Sequence, residues 1–314
     1  MSQESSSIQG HFDEYCAQKA APPGSSVYYA LRQAPLAKQP LLTALFALRR
    51  ELEQAARETS DPAIGRTKLA WWQQELASLA AGQPTHPVSV ALAAHRADIG
   101  GEAATLQALV DGFEMDLNQA RYLDYPNLRS YIEQVGGAFA LAVARVTARD
   151  TAAAAQWAPP LGNALMLAQL VQELGNDARH GRIYIPIDEL QRFQVSAAEL
   201  INRKYTPAFD ELMRFQTRRA REAIVAALAG IPQPERKTQR TLRAQSAMAL
   251  ALLDEIERDD YRVLHQRIAL TPIRKLWIAC VRPARVESVA TCASRAVAAR
   301  PQRLYSSRTA SSMC

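Results

Sequence analysis

The sequence predicts an all-α fold, and three observations predict it. Long stretches carry apolar residues at helical spacing, no stretch alternates apolar and polar residues with period two over a useful length, and Gly and Pro separate the helical stretches. No repeat of fixed period is present. With 314 residues, 48% of them hydrophobic and 22% charged, the composition is that of an ordinary globular protein. A large helical fold can hold one core at this length.

The elements follow in order. Pro22-Pro23-Gly24-Ser25-Ser26 breaks the first short segment, and Tyr28-Tyr29 starts the next. After Pro40, Leu41, Leu45, Leu48, Leu52 and Ala55 keep a helical period through to Glu58. Ser60-Asp61-Pro62 stops that helix and caps the next, with proline at a first-turn position. That helix, TKLAWWQQELASLAAG, ends at Gly82, and Gln83-Pro84-Thr85-His86-Pro87 reads as a turn. Helices are expected from Glu102 to Tyr122, from Asn127 to Thr147 and from Ala155 to Asp177. Asp188 to Asn202 reads as short helical pieces, Thr206-Pro207 opens a long helix towards Leu228, and another runs from Thr238 to Leu270 before Thr271-Pro272. The expected organisation is a partly disordered N-terminal segment (1–22), one all-α domain (23–279) and a basic tail (280–314). The tail is rich in Arg, Ser and Ala without a helical face, so disorder is expected there.

The net charge of +6 is concentrated at one end. Residues 281–314 hold six arginines against one acid, Glu287, which is +5 of the +6. The rest of the chain is near neutral, and the tail has Tyr305 as its one aromatic, so the charge does not read as a nucleic-acid footprint. The four cysteines match no metal-site spacing and read as reduced thiols. No apolar run is long enough to span a bilayer and the N-terminus has no apolar signal region, so the expected location is the cytoplasm.

The stretch from Leu161 to Pro186 carries the chemistry. Glu173 and Asp177 lie one helical turn apart, so both carboxylates face one volume, on a helix that is apolar almost all round. Carboxylates entering an apolar interior need a partner. A divalent cation with a bound diphosphate is one candidate, and a salt bridge to Arg179 or Arg182 is the other, favoured by spacing alone because buried charges are usually paired. Glu53, Arg57 and Arg50 share one helical side, with Glu58 just round from it, and read as a solvated face. Asp111, Glu114 and Asp116, with Arg121 and Tyr122, form a second acidic face that also reads as surface. Trp71 and Trp72 read as core and rim packing. The five histidines have no metal-ligand spacing, and neither a glycine-rich phosphate loop nor a Gly-x-Ser-x-Gly elbow is present.

In order along the chain stand SSVYYAL, ALFALRRELEQ, TKLAWWQQEL, GQPTHPV, DGFEMDLNQARYLDYPNLRSY and NDARHGRIYIPIDELQRF, followed by YTPAF, LLDEIERDDYRVLHQR and LTPIRKLWIA. From about Glu14 to Ala279 the chain resembles the squalene/phytoene synthase family, and within it the bacterial presqualene diphosphate synthase type of hopanoid pathways. The resemblance implies an all-α isoprenoid synthase bundle with a central cavity, where carboxylates of two facing helices hold Mg²⁺ and the metal holds the diphosphate of a prenyl donor such as farnesyl diphosphate. The family reaction is a head-to-head condensation of two prenyl diphosphates. Mg²⁺ suits this chemistry because it prefers carboxylate and phosphate oxygens and stabilises a leaving diphosphate.

Carried over residue by residue, the resemblance gives Glu53, Glu173 and Asp177 as catalytic and Glu53, Glu58, Glu173 and Asp177 as metal ligands. It gives Ser26, Arg50, Arg57, Tyr131, Gln169, Arg182 and Tyr184 as substrate-binding. The departures are concentrated in the first motif, where the family has aspartates and this chain has Glu53, Gln54 and Arg57. In the second, Glu173 replaces an aspartate and Asn176 an acid, and Gln169 and Gln172 stand where the family has Asn and Arg. On the substrate side a family tyrosine is Phe46, and the basic cluster is Lys38-Gln39-Pro40. Two expectations remain open: a prenyl transferase with a weakened Mg²⁺ cage, in which Arg57 contacts diphosphate directly, or a catalytically degenerate member acting as a binding or assembly module with a protein partner. In the first case the apolar product implies transient contact with a membrane surface.

Overall fold

The computed structural model describes residues 2–57, 61–95 and 103–281, with side chains from residue 9 onwards. Glu58 and residues 282–314 of the tail therefore lie outside the described residues. Apart from one isolated bridge between Arg121 and Ile183, the regular structure among the described residues is helical, as the periodicity predicts. In chain order α1 (Ser2–Ala20), α2 (Ser26–Leu31), a 3-10 turn (Leu36–Lys38) and α3 (Gln39–Arg57) lead to α4 (Pro62–Ala81), α5 (Pro87–Ala93) and α6 (Ala103–Asn118). Then come α7 (Tyr125–Ile132), a π-helical segment (Glu133–Gly137), α8 (Ala138–Thr147), α9 (Ala154–Arg179), α10 (Ile187–Arg192) and α11 (Ala197–Ile201). The described chain closes with α12 (Pro207–Gly230), α13 (Arg240–Arg258), a second 3-10 turn (Arg262–Leu264) and α14 (Pro272–Val281).

The predicted punctuation holds where local chemistry sets it. Asp61 accepts a hydrogen bond from the Ala63 N–H with Pro62 in the first turn of α4, and Gly82 ends that helix at a φ of 81°. Thr206 caps α12 in the same way, accepting from the Phe209 N–H.

Two segments take definite form, and one helix end is corrected. Residues Ser2–Ala20 form α1, which packs on α3 and α5 and buries Cys16. The turn at 83–87 leads straight into α5: the buried Glu75 carboxylate accepts from the backbone N–H groups of Thr85 and His86, each at 2.8 Å, and so fixes the entry. The helix expected to reach Leu270 ends at Arg258, because Asp260 and Tyr261 both take left-handed backbone conformations (φ 50° and 57°).

At the centre lies α9, packed by α8, the π segment, α12 and α13 and buried on nearly all sides, as its apolar sequence predicts. Two close approaches on α9 shape the interior. A side chain at Gly162 would meet the Gly136 carbonyl oxygen at 2.0 Å, so only glycine lets the π segment lie directly on α9. A side chain at Gly175 would meet the Val263 carbonyl oxygen at 2.2 Å, and this contact holds the chain after α13 across α9. That crossing delivers Arg267 to the acidic end of α9. No helix among the described residues is long and apolar enough to cross a membrane.

Candidate functional site

Between α3, α6 and α9 the interior holds a knot of charge centred on Arg57. The Arg57 Nε donates to Asp116 Oδ2 at 3.3 Å, its Nη2 donates to the Tyr131 hydroxyl at 2.8 Å, and its Nη1 lies 3.5 Å from Glu53 and 3.9 Å from Asp177. The guanidinium also sits 4.9 Å from the centre of the Tyr184 ring, close enough for a cation–π contact. Burial opposes its charge, but Tyr131, Tyr184, Asp116 and Asp177 outweigh burial and bind the proton more firmly than in water.

Asp116 is the second centre. It is 1% exposed and accepts from Arg57, from Arg182 at 2.9 Å, and from the Tyr184 hydroxyl at 2.7 and 2.9 Å. Arg182 further donates to the carbonyls of Asp116 and Ala56, at 2.8 and 2.9 Å, so its donors close the knot from inside. Tyr122, Tyr131 and Tyr184 stack beside it with ring centres 5.6–6.0 Å apart.

The sequence places these residues on faces that the structure revises. Glu53 and Arg57 point into the bundle, where a solvated face was expected, and Asp116 and Tyr122 likewise leave the surface for the core. Glu173 and Asp177 are paired, as spacing favoured, but their partners are Arg267 and Arg57 in place of Arg179 or Arg182. Arg179 instead donates to the Leu264 carbonyl and to Asn176. Trp72 is buried and Trp71 exposed, the expected core and rim.

One guanidinium is shared by three carboxylates; Glu53 and Asp116 each have a second arginine, whereas Asp177 has no other cation within 4 Å among the described residues. Burial and the charges of Glu173, Asp116 and Glu53 outweigh Arg57 at Asp177, raising its pKa to about 7. Its Oδ2 is buried without a hydrogen-bond partner among the described residues. For Glu53, burial would raise the carboxyl, but Arg57, Arg49 and Arg50 together hold it below the usual range.

Asp177 makes stability depend on pH. Its folded value near 7 lies above the ordinary 3.8, so between those values the folded chain holds a proton that the unfolded chain has released. Stability is lost as pH rises through this window. Urea unfolding is expected to show Asp177→Asn gaining about 2–4 kcal/mol on the wild type between pH 4 and pH 7.5. A difference that does not change with pH would contradict this assignment.

Beside the knot opens a cavity of roughly 360 Å³. Its lining includes Arg49, Arg50, Arg267 and Lys275 against one carboxylate, Glu53, together with Ser25, Ser26, Gln169 and Gln172. The rest of the lining is largely apolar, with Phe46, Phe139, Leu165, Leu242, Met248 and Leu252. Of the predicted substrate residues, Ser26, Arg50 and Gln169 line this cavity, whereas Arg57, Tyr131, Arg182 and Tyr184 belong to the knot.

Sequence reasoning missed Arg49, Arg267 and Lys275. Arg49 donates to Gln169 at 2.9 Å and lies over the Phe139 ring, with no carboxylate at ion-pair distance among the described residues. Burial pushes its guanidinium pKa down, with Arg57 adding to that, while Glu53 and Tyr131 pull the other way. Arg267 donates to Glu173 and to Gln172, whose own amide donates to the Ile268 carbonyl at 2.6 Å. Lys275 donates to the Gly24 carbonyl at 2.9 Å, tying α14 to the start of α2.

Mg²⁺ does not fit this donor set. The place between the acidic helices holds a guanidinium, which repels a divalent cation, and Glu53, Asp116 and Glu173 are already paired with arginines. Among the described residues no group of three or more His, Cys, Asp or Glu side chains converges so as to hold a metal ion.

Comparison with known proteins locates this architecture. Residues 20–274 match the squalene/phytoene synthase family. A phytoene synthase from Arthrospira platensis is 29% identical over 276 residues, which is 84% of this chain and 89% of that protein. A 15-cis-phytoene synthase from Synechococcus elongatus is 28% identical over 84% of this chain and 89% of its own. Among solved structures, a dehydrosqualene synthase bound to a ligand superposes with a TM-score of 0.76 at 19% identity, covering 92% of this chain and 99% of its own. Squalene synthase HpnC from Alicyclobacillus acidocaldarius gives 0.67 at 20% identity, covering 81% and 95%.

Proposed function

The chain belongs to the squalene/phytoene synthase family of isoprenoid biosynthesis, whose reaction is head-to-head condensation of prenyl diphosphates, and from that premise we propose that it binds a prenyl diphosphate without metal and does not condense two. The observation that carries this reading is Arg57 among Glu53, Asp116 and Asp177. Condensation in the family draws on metal held by facing carboxylates to stabilise the departing diphosphate. Here those carboxylates neutralise arginines of the same chain.

The cavity retains what an amphiphile with an anionic head requires. Arg49, Arg50, Arg267 and Lys275 offer fixed positive charge, and guanidinium groups match phosphate oxygens in pairs. The apolar lining residues suit an isoprenoid chain. At roughly 360 Å³ it stands at the small end of the range of about 300–1,000 Å³ for ligand sites, which favours one prenyl diphosphate over two. Farnesyl diphosphate is the substrate-class ligand we assign, in line with the hopanoid-type resemblance. Arg49 is the cation that would gain most, since it has no carboxylate partner of its own among the described residues.

Incubation with farnesyl diphosphate and millimolar Mg²⁺ is expected to release no diphosphate and give no thirty-carbon product. Equilibrium binding of farnesyl diphosphate is expected to persist and to weaken about 10- to 100-fold in Arg49→Met, the loss of one charged hydrogen bond. Diphosphate release stimulated by Mg²⁺ would overturn the reading and favour a working transferase in which Arg57 contacts the diphosphate.

A further inference from the structure

Between α13 and α14 the chain crosses α9 as a strap, and its residues Arg267, Ala269 and Leu270 form part of the cavity wall. The strap starts on a costly turn. Asp260 and Tyr261 stand side by side in the left-handed region, with φ of 50° and 57°, where a bulky residue such as tyrosine is rare. A conformation of this kind costs free energy that contacts elsewhere must offset. Beyond the turn Val263 packs on Gly175, Arg179 donates to the Leu264 carbonyl, and the Gln172 amide donates to the Ile268 carbonyl. These three anchors all come from α9.

A fourth anchor comes from outside α9. Tyr205, between α11 and α12, offers its hydroxyl oxygen to the backbone N–H groups of Leu264 and His265, which donate to it at 3.1 and 3.2 Å. One oxygen thus takes two successive amides of the strap. The His265 Nδ1 lies 3.1 Å from the same oxygen, and the two rings stack with centres 5.3 Å apart. The Tyr205 ring also meets Phe209 edge-on at 5.4 Å, and Phe209 is buried in α12. The clamp is therefore built on the core of the bundle.

We infer that Tyr205 is a positioning residue for ligand binding: its hydroxyl fixes the strap and so sets Arg267, two residues beyond His265, at the cavity. The inference rests on the reading of the cavity as a prenyl diphosphate site. Arg267 has a long, half-exposed side chain, and its bonds to Glu173 and Gln172 require its backbone to stand where the strap puts it. A guanidinium placed in advance loses less freedom when an anion arrives, which favours binding. Tyr205 does not itself line the cavity, so its effect on a ligand there passes through the strap.

The test is calorimetric titration of wild type, Tyr205→Phe, Arg267→Met and the double variant with a non-hydrolysable farnesyl diphosphate analogue. Hydrogen exchange at the Leu264 and His265 amides, measured without ligand, accompanies it. The phenylalanine variant removes one oxygen and keeps the ring that meets His265 and Phe209. Arg267→Met is expected to weaken binding about 10- to 100-fold and Tyr205→Phe about 3- to 10-fold, and exchange of the two amides in Tyr205→Phe should quicken at least about tenfold. The double variant is expected to bind within about twofold of Arg267→Met, because Tyr205 acts through that arginine. Losses that add in full in the double variant would overturn the inference, as would wild-type affinity or unchanged amide exchange in Tyr205→Phe. Failure of wild type itself to bind the analogue would overturn the reading of the cavity, and the inference with it.

Discussion

Arg57→Met is expected to lower the free energy of unfolding by about 3–5 kcal/mol, measured by urea denaturation at pH 7. The substitution keeps much of the side-chain volume and removes the charge. Among the described residues it would leave Asp116 with Arg182 as its one cation and Asp177 with no cation within 4 Å, in an interior where an unpaired carboxylate costs several kcal/mol. Tyr131 would lose the donor to its hydroxyl as well. Arg57→Lys, which keeps the charge but lacks the fork that reaches Asp116, Tyr131 and Glu53 together, is expected to fall between the two. A loss below about 1 kcal/mol for the methionine variant would mean that the surrounding acids do not depend on this guanidinium.

Arg57→Asp is expected to convert the knot into a divalent-cation site. In chelator the variant should be less stable than Arg57→Met, because a fourth carboxylate would face Glu53, Asp116 and Asp177. Mg²⁺ at about 100 times its dissociation constant should then restore about 2.7 kcal/mol. That is a rise of several degrees in the thermal midpoint for a domain of this size. Wild type should show no such response, since its own guanidinium already supplies the positive charge. A midpoint rise of equal size in wild type would show that the metal has a site despite Arg57.

The fold was legible in the sequence because helical period, Pro and Gly report local conformation directly. Asp61-Pro62, Gly82 and Thr206-Pro207 act within a few residues of themselves, and each stands where the pattern put it. The end of α13 was not legible, since the left-handed pair Asp260-Tyr261 carries no glycine to announce it. The turn before α5 was read correctly, but α5 itself, seven residues long, is too short for a periodic signal.

The charged knot was half legible. Glu173 and Asp177 were recognised because their helix is apolar all round, which makes any carboxylate on it conspicuous. Asp116 could have been placed inside by the same logic, since Leu109, Val110 and Phe113 are spaced to share its face. Its acidic neighbours Asp111 and Glu114 masked that signal. Arg50, Glu53 and Arg57 read as a surface ion-pair ladder because such ladders usually are surface, and nothing local tells a buried one apart. Arg267 lies 94 residues from Glu173 and could be joined to it only by the crossing at Gly175.

The most direct test of the central claim is calorimetric titration of wild type with a non-hydrolysable farnesyl diphosphate analogue, once in millimolar Mg²⁺ and once in excess chelator. The account predicts binding in both, with dissociation constants within about twofold of each other, because Arg49, Arg50, Arg267 and Lys275 carry the diphosphate charge. Binding that appears in Mg²⁺ and vanishes in chelator would contradict it, and would return the four acids to the role of metal ligands.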